Sequence, residues 1–197
     1  CRVDQRNDLK DWETSSIQDG IHSINHIETR NLMRKGIRPQ VCNVCYKQED
    51  IGIGSSRLNY LQIYQDIDYS KEPEIVLTAD IKFNNTCNLA CRMCNPFSSS
   101  LIASLLKDVS QQDRIHNVPI IKQNYKEKEK LEYCKKLIKK GLKEFKTTGG
   151  ETFYQKYFIK LLDWCIRNNY NNDLIIKITT NGINLDANTI NKLITFK

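Results

Sequence analysis

The sequence predicts an α/β fold with a partial β/α barrel or parallel sheet, preceded by a small, mostly helical domain that contains cysteines. Three observations predict it. From about residue 75, strand-like and helix-like patterns alternate three times, which implies right-handed parallel crossovers. Each predicted strand runs into a polar or glycine-rich segment. The first 68 residues instead carry short helical patterns and a separate cysteine pair.

The first domain is placed at residues 1–68 and the second at 69–197. In the first, Ile21, Ile24, Ile27 and Leu32 recur at helical spacing over residues 21–35, and Gly36 fits a stop with Pro39 beyond it. Residues 41–45 read as a short knuckle bearing Cys42 and Cys45. Gly52 and Gly54 mark a turn, and Ser55 or Ser56 can cap a helix through about Tyr64. The polar run from Asp66 to Pro73 reads as a linker.

In the second domain, Ile75–Phe83 reads as the first strand. A cysteine-rich loop follows, then a helix over Ser98–Lys107 and a long loop over 108–123. Lys126–Lys140 is an amphipathic helix with Leu131, Cys134, Ile138 and Leu142 on one face, and Gly141 is its stop. Leu142–Thr147 is the second strand, ending in Thr148, Gly149, Gly150 and Glu151. Tyr157, Phe158, Leu161, Leu162, Cys165 and Ile166 mark the next helix, and Leu174–Thr180 is the third strand. It ends in Thr179, Thr180, Asn181 and Gly182, before a helix that starts near Asp186 or Ala187. Chemistry in parallel α/β folds gathers at the carboxyl ends of strands, so the three polar segments are expected on one rim.

The chain has 197 residues, 40% hydrophobic and 27% charged, which suits a globular protein. No apolar run reaches the roughly 18 residues of a membrane span, and no signal peptide is visible. A cytoplasmic location is expected. The chain starts at Cys1 and stops at Lys197 just after a helical pattern begins, so it reads as a fragment cut at both ends. The net charge of +7 is mostly local: residues 122–146 hold ten Lys and four Glu. A solvated helix face, with Glu132 and Lys136 at helical spacing, explains it better than nucleic-acid binding. Five of eight cysteines fall in two tight clusters, which favours metal ligation over disulfides.

Cys87, Cys91 and Cys94 form Cys-x-x-x-Cys-x-x-Cys directly after the first strand. Thiolates are soft ligands for iron–sulfur clusters and zinc. A fully protein-ligated cubane needs four cysteines, so three leave one iron open to a cofactor or substrate. Zinc would need a fourth ligand; His116 has no familiar zinc spacing, and Cys42 and Cys45 lie too far upstream. Gly149 and Gly150 let backbone approach a ligand, with N–H groups near a helix start, and the Glu151 carboxylate can pair with an ammonium group. A simple turn is the bland alternative. Cys134 and Cys165 sit on apolar faces as core residues. His22 and His26 have helical spacing but lack the glutamate of a zinc protease, and residues 52–56 lack the lysine of a phosphate loop.

These motifs, in this order, resemble the radical S-adenosylmethionine (SAM) enzymes over residues 75–197. The resemblance implies that Cys87, Cys91 and Cys94 hold a [4Fe–4S] cluster whose open iron takes SAM. It implies that Gly149, Gly150 and Glu151 contact the SAM amino group, that backbone around Met93 packs on adenine, and that Thr180 and Asn181 lie near the ribose or methionine. Two departures stand out: Met93 where an aromatic residue is common, and Thr152 where proline is common, which is expected to loosen the turn slightly. Cys42 and Cys45, followed by Glu49, Gly52, Ser55, Ser56 and Arg57, resemble a twitch-type auxiliary cluster domain, with Cys1 as a further ligand. Zinc or no metal remain alternatives there.

The resemblance implies an enzyme that cleaves SAM to a 5′-deoxyadenosyl radical. Its reductant would be a flavodoxin- or ferredoxin-like protein, and its substrate a peptide or protein. Half a barrel alone is expected to be inactive. An electron-transfer or metal-binding module, with four protein ligands per cluster and no SAM chemistry, is the alternative. A zinc-loaded nucleic-acid-binding protein is a third reading, and the confined lysine patch argues against it.

Overall fold

The computed structural model describes residues 23–71, 75–110 and 126–196. Cys1, His22, His116 and most of the predicted long loop lie outside the described residues. Two units divide the chain, Cys1–Pro73 and Glu74–Lys197.

Serine caps open two of the three described α-helices of the first unit. At α1 (Ile24–Arg34), the Ser23 hydroxyl accepts the His26 N–H, and Gly36 follows the last turn. A 3-10 turn over Gln40–Cys42 leads into α2 (Asn43–Asp50). The expected knuckle is thus helical: Cys42 ends the 3-10 turn and Cys45 lies in α2. Three-residue spacing puts both on neighbouring helical positions. The Ser55 hydroxyl accepts the Leu58 N–H to open α3 (Ser56–Ile63).

The second unit is built on a parallel three-stranded sheet in the order β1-β2-β3. Its strands are β1 (Thr78–Asp80), β2 (Glu144–Thr147) and β3 (Ile175–Ile178). All three are shorter than their apolar runs suggest. Pairing, not apolarity, ends a strand, and β1 is in register with β2 only from Thr78–Glu144 to Asp80–Lys146. One further ladder bond runs from the Ile81 N–H to the Lys146 carbonyl at 2.9 Å.

Among the described residues, four α-helices complete the unit: α4 (Ser100–Leu105), α5 (Glu127–Lys139), α6 (Lys156–Arg167) and α7 (Ala187–Leu193). Leu131, Cys134 and Ile138 of α5 meet Phe158, Leu161, Leu162 and Cys165 of α6 in one core with Phe83, Phe145 and Leu174. Spacings of three and four residues put each set on one helix face. Gly141, at φ +104°, lets the chain reverse after α5, where the Leu142 N–H bonds the Leu137 carbonyl at 3.1 Å. On the outer face of α5, Glu132 pairs with Lys135 at 2.8 Å rather than with Lys136. Among the described residues no helix is long and apolar enough to cross a membrane.

Candidate functional site

Phe83, fully buried, fixes the start of the cysteine loop after β1. The loop returns on itself at the start of α4. The Ser100 N–H donates to the Asn85 carbonyl at 2.8 Å, and the Cys87 N–H donates to the Ser100 hydroxyl at 3.3 Å. Within the loop the Cys94 N–H bonds the Cys91 carbonyl at 2.9 Å. Asn85 reaches the Pro96 carbonyl at 3.3 Å. The three thiols are half-buried and none forms a disulfide. Burial pushes the Cys94 thiol up, and the neighbouring Cys91 and Cys87 push the same way. The Met93 side chain is 81% exposed at the loop surface.

The glycine turn after β2 packs directly on this loop. The Gly150 N–H donates to the Ser98 carbonyl and the Glu151 N–H to the Thr86 carbonyl, each at 2.7 Å. These two N–H groups, expected to face a ligand, are instead spent holding the cysteine loop. Gly150 sits at φ +58°, and a Cβ there would meet the Thr86 oxygen at 2.4 Å. Only glycine permits both the conformation and the close approach.

Glu151 is 1% exposed, and its carboxylate joins the second and third strand ends. Oε1 accepts the Thr180 hydroxyl at 2.6 Å and the Phe153 N–H at 3.1 Å. Oε2 accepts the Asn181 N–H at 2.8 Å. The Asn181 side chain then reaches back, donating to Asn88 Oδ1 at 2.9 Å, one residue from Cys87. The three loops therefore converge as the strand order requires.

Thr152 tightens this region rather than loosening it. Its hydroxyl is buried and donates to the Thr179 carbonyl at 2.8 Å, a bond proline cannot make. Gln155, also buried, donates from Nε2 to the Gly149 carbonyl at 2.6 Å. Lys82 lies along the other side of Gly149 and donates to the Phe97 carbonyl at 2.5 Å. Burial, then the nearby Lys130 ammonium, bring Lys82 down to about 8, while Cys94 acts in the opposite direction. Sequence reasoning missed Lys82, Asn88, Ser98 and Gln155. Only Asn88, beside the first cysteine, carried a local signal.

In the first unit, Cys42 is 2% exposed and Cys45 is half-buried. Burial raises the Cys42 thiol and Cys45 adds to the rise, whereas Arg57 opposes it. Glu49 binds Arg57, with Nε to Oε1 at 3.0 Å, and also accepts the Ser55 hydroxyl. Those bonds, from Arg57 first and Ser55 second, hold the Glu49 carboxyl below the usual range. The Arg38 and Arg57 guanidiniums each lie over the Tyr46 ring, at 4.9 and 4.8 Å. Cys1 lies outside the described residues.

A groove of about 480 Å³ opens beside Phe153, Ile159, Ile183, Leu185 and Lys192. No residue of the three motifs predicted to bind metal or cofactor lines it. Among the described residues, no three His, Cys, Asp or Glu side chains converge on one metal ion. A cubane places each cysteine on a different iron, so its ligands need not converge on a point. Three free thiols on one loop fit that donor pattern.

The fold and this loop cluster define an α/β protein whose three motif-bearing loops meet at the carboxyl ends of a parallel sheet. The Radical SAM superfamily matches residues 81–196, and the chain belongs to that superfamily. Its members typically use a [4Fe–4S] cluster and SAM. No curated protein and no solved structure matches the chain.

Proposed function

We propose that the chain carries the radical-generating site of a radical SAM enzyme. Cys87, Cys91 and Cys94 hold three irons of a [4Fe–4S] cluster, and SAM takes the fourth. When bound and reduced, the pair supplies one-electron cleavage of the sulfonium to methionine and a 5′-deoxyadenosyl radical, which removes a hydrogen atom from the substrate. The observation that carries the reading is the convergence of the cysteine loop, the Gly149–Glu151 turn and the Thr180–Asn181 segment.

The chain's own residues position and shield. Gly150 and Glu151 brace the cysteine loop through their N–H groups. A carboxylate offers about four acceptor sites. Glu151 uses three, which leaves one for an ammonium group. Gly149 and Gly150 contribute backbone to the amino-group site, Thr180 and Asn181 border it, and exposed Met93 covers adenine.

The first unit is read as a twitch-type domain, with Cys42, Cys45 and Cys1 as ligands of an auxiliary iron–sulfur cluster. Arg57 opposes the rise that burial imposes on the Cys42 thiol. The substrate is a peptide or protein, the reductant is a flavodoxin- or ferredoxin-like protein, and the site of action is the cytoplasm.

Anaerobic loading with iron and sulfide tests the central claim. The chain should take up about four irons at the three-cysteine site, and added SAM should change the electron paramagnetic resonance (EPR) spectrum of the reduced cluster. A triple Cys87→Ala, Cys91→Ala, Cys94→Ala variant should lose that signal. A spectrum indifferent to SAM would instead favour an electron-transfer module.

A further inference from the structure

Lys82 has an unusual placement. It lies two residues beyond β1, at the root of the cysteine loop, and its side chain runs between two turns. Its stem fills the space beside Gly149, where a Cβ would meet Lys82 Cδ and Cε at 2.6 Å. Its ammonium donates to the Phe97 carbonyl and lies 4.5 Å from the centre of the Phe97 ring. Phe97 is three residues beyond Cys94. The Lys82 carbonyl is itself held by Lys130 Nζ at 2.8 Å. The ammonium is therefore anchored on Phe97, while the Lys82 backbone is anchored by Lys130.

Its charge sits on the cysteine loop itself, since both of its printed contacts are to Phe97, three residues beyond Cys94. Three thiolates around an iron–sulfur core leave net negative charge, and reduction adds one more. The potential of a cluster depends on nearby charge and burial. A half-buried ammonium is screened less than one in water and favours the more negative, reduced form.

We propose that Lys82 is a positioning residue for the three-cysteine site: it clamps the Phe97 and Gly149 turns together and anchors its ammonium on Phe97 of the cysteine loop, where the positive charge eases reduction of the bound cluster. The proposal rests on the radical SAM reading of that loop. The carbonyl bond and the ring contact orient the charge, the Gly149 contact fixes the stem, and no other side chain reaches both turns in the contacts described.

The test compares the 197-residue chain with its Lys82→Met and Lys82→Arg variants, each loaded anaerobically with iron and sulfide. Iron content is measured, and the midpoint potential is read by EPR during dithionite titration. Lys82→Met should load iron but show a more negative potential, and Lys82→Arg should restore the wild-type value. Failure of Lys82→Met to hold iron, with normal loading of Lys82→Arg, also supports a charge-dependent clamp. An unchanged potential in Lys82→Met overturns the proposal. So does an equal shift in both variants, which would assign the effect to shape alone. Absence of any cluster in the wild-type chain would overturn the reading of the cysteine loop itself, and this proposal with it.

Discussion

Glu151 and Asn181 are joined across two strand ends, with the carboxylate Oε2 accepting the Asn181 backbone N–H at 2.8 Å. The same carboxylate accepts the Thr180 hydroxyl and the Phe153 N–H. Glu151→Gln keeps the shape but turns one acceptor into a donor facing another donor. The expected loss is about 1–3 kcal/mol, the cost of a buried unsatisfied group. Urea unfolding of the variant against wild type measures it. A loss near zero would remove Glu151 as the link between the second and third strands.

Gly150 gives a second prediction. Alanine there would carry a Cβ into the Thr86 carbonyl and hold a φ that L-residues rarely adopt. Gly150→Ala should cost more than about 1 kcal/mol and displace the cysteine loop. Gly54, with open space around it and no positive φ, is the control. Gly54→Ala should stay within about 0.5 kcal/mol of wild type.

Thr152 gives a third. Thr152→Val deletes the donor to the Thr179 carbonyl while preserving volume, and should cost about 1 kcal/mol. Thr152→Ser should retain most of the stability. Equal melting temperatures for Thr152→Val and wild type would show that this bond contributes nothing.

The buried thiols of Cys134 and Cys165 predict a pH dependence. Both are fully buried, and burial pushes each up to about 12 from an ordinary value near 9. The folded state thus keeps protons that the unfolded chain releases. The resulting stability is fully present below pH 9 and is lost as pH rises toward 12. Denaturant unfolding between pH 7 and 10.5 should show the decline, and a Cys134→Ala, Cys165→Ala variant should flatten it. At pH 8, iodoacetamide should label Cys87, Cys91 and Cys94 well before these two.

The alternation of strands and helices was legible because each helix repeats apolar residues at three and four positions, as Phe158, Leu161, Leu162 and Cys165 do. The strand limits were not legible, because pairing partners lie far apart: Thr78 pairs with Glu144. The site motifs stood out through residue types that chemistry demands, three thiols and two adjacent glycines. Their wiring did not. Nothing local marks Gln155 as the donor to Gly149, or tells that Thr152 replaces a rigid turn with a hydrogen bond. The helical setting of Cys42 and Cys45 was also missed, since a Cys-x-x-Cys pair fits a knuckle and a helix end equally well.

The Asn88–Asn181 bond has a consequence in time. Its partners are 93 residues apart in the chain. At about 5–20 residues per second of synthesis, the cysteine loop emerges roughly 5–20 s before the residue that latches it. Glu151 itself arrives 63 residues after Asn88, and it then waits a further 29 and 30 residues for Thr180 and Asn181. The Asn88–Asn181 latch therefore closes only after the cysteine loop has been outside the ribosome for seconds.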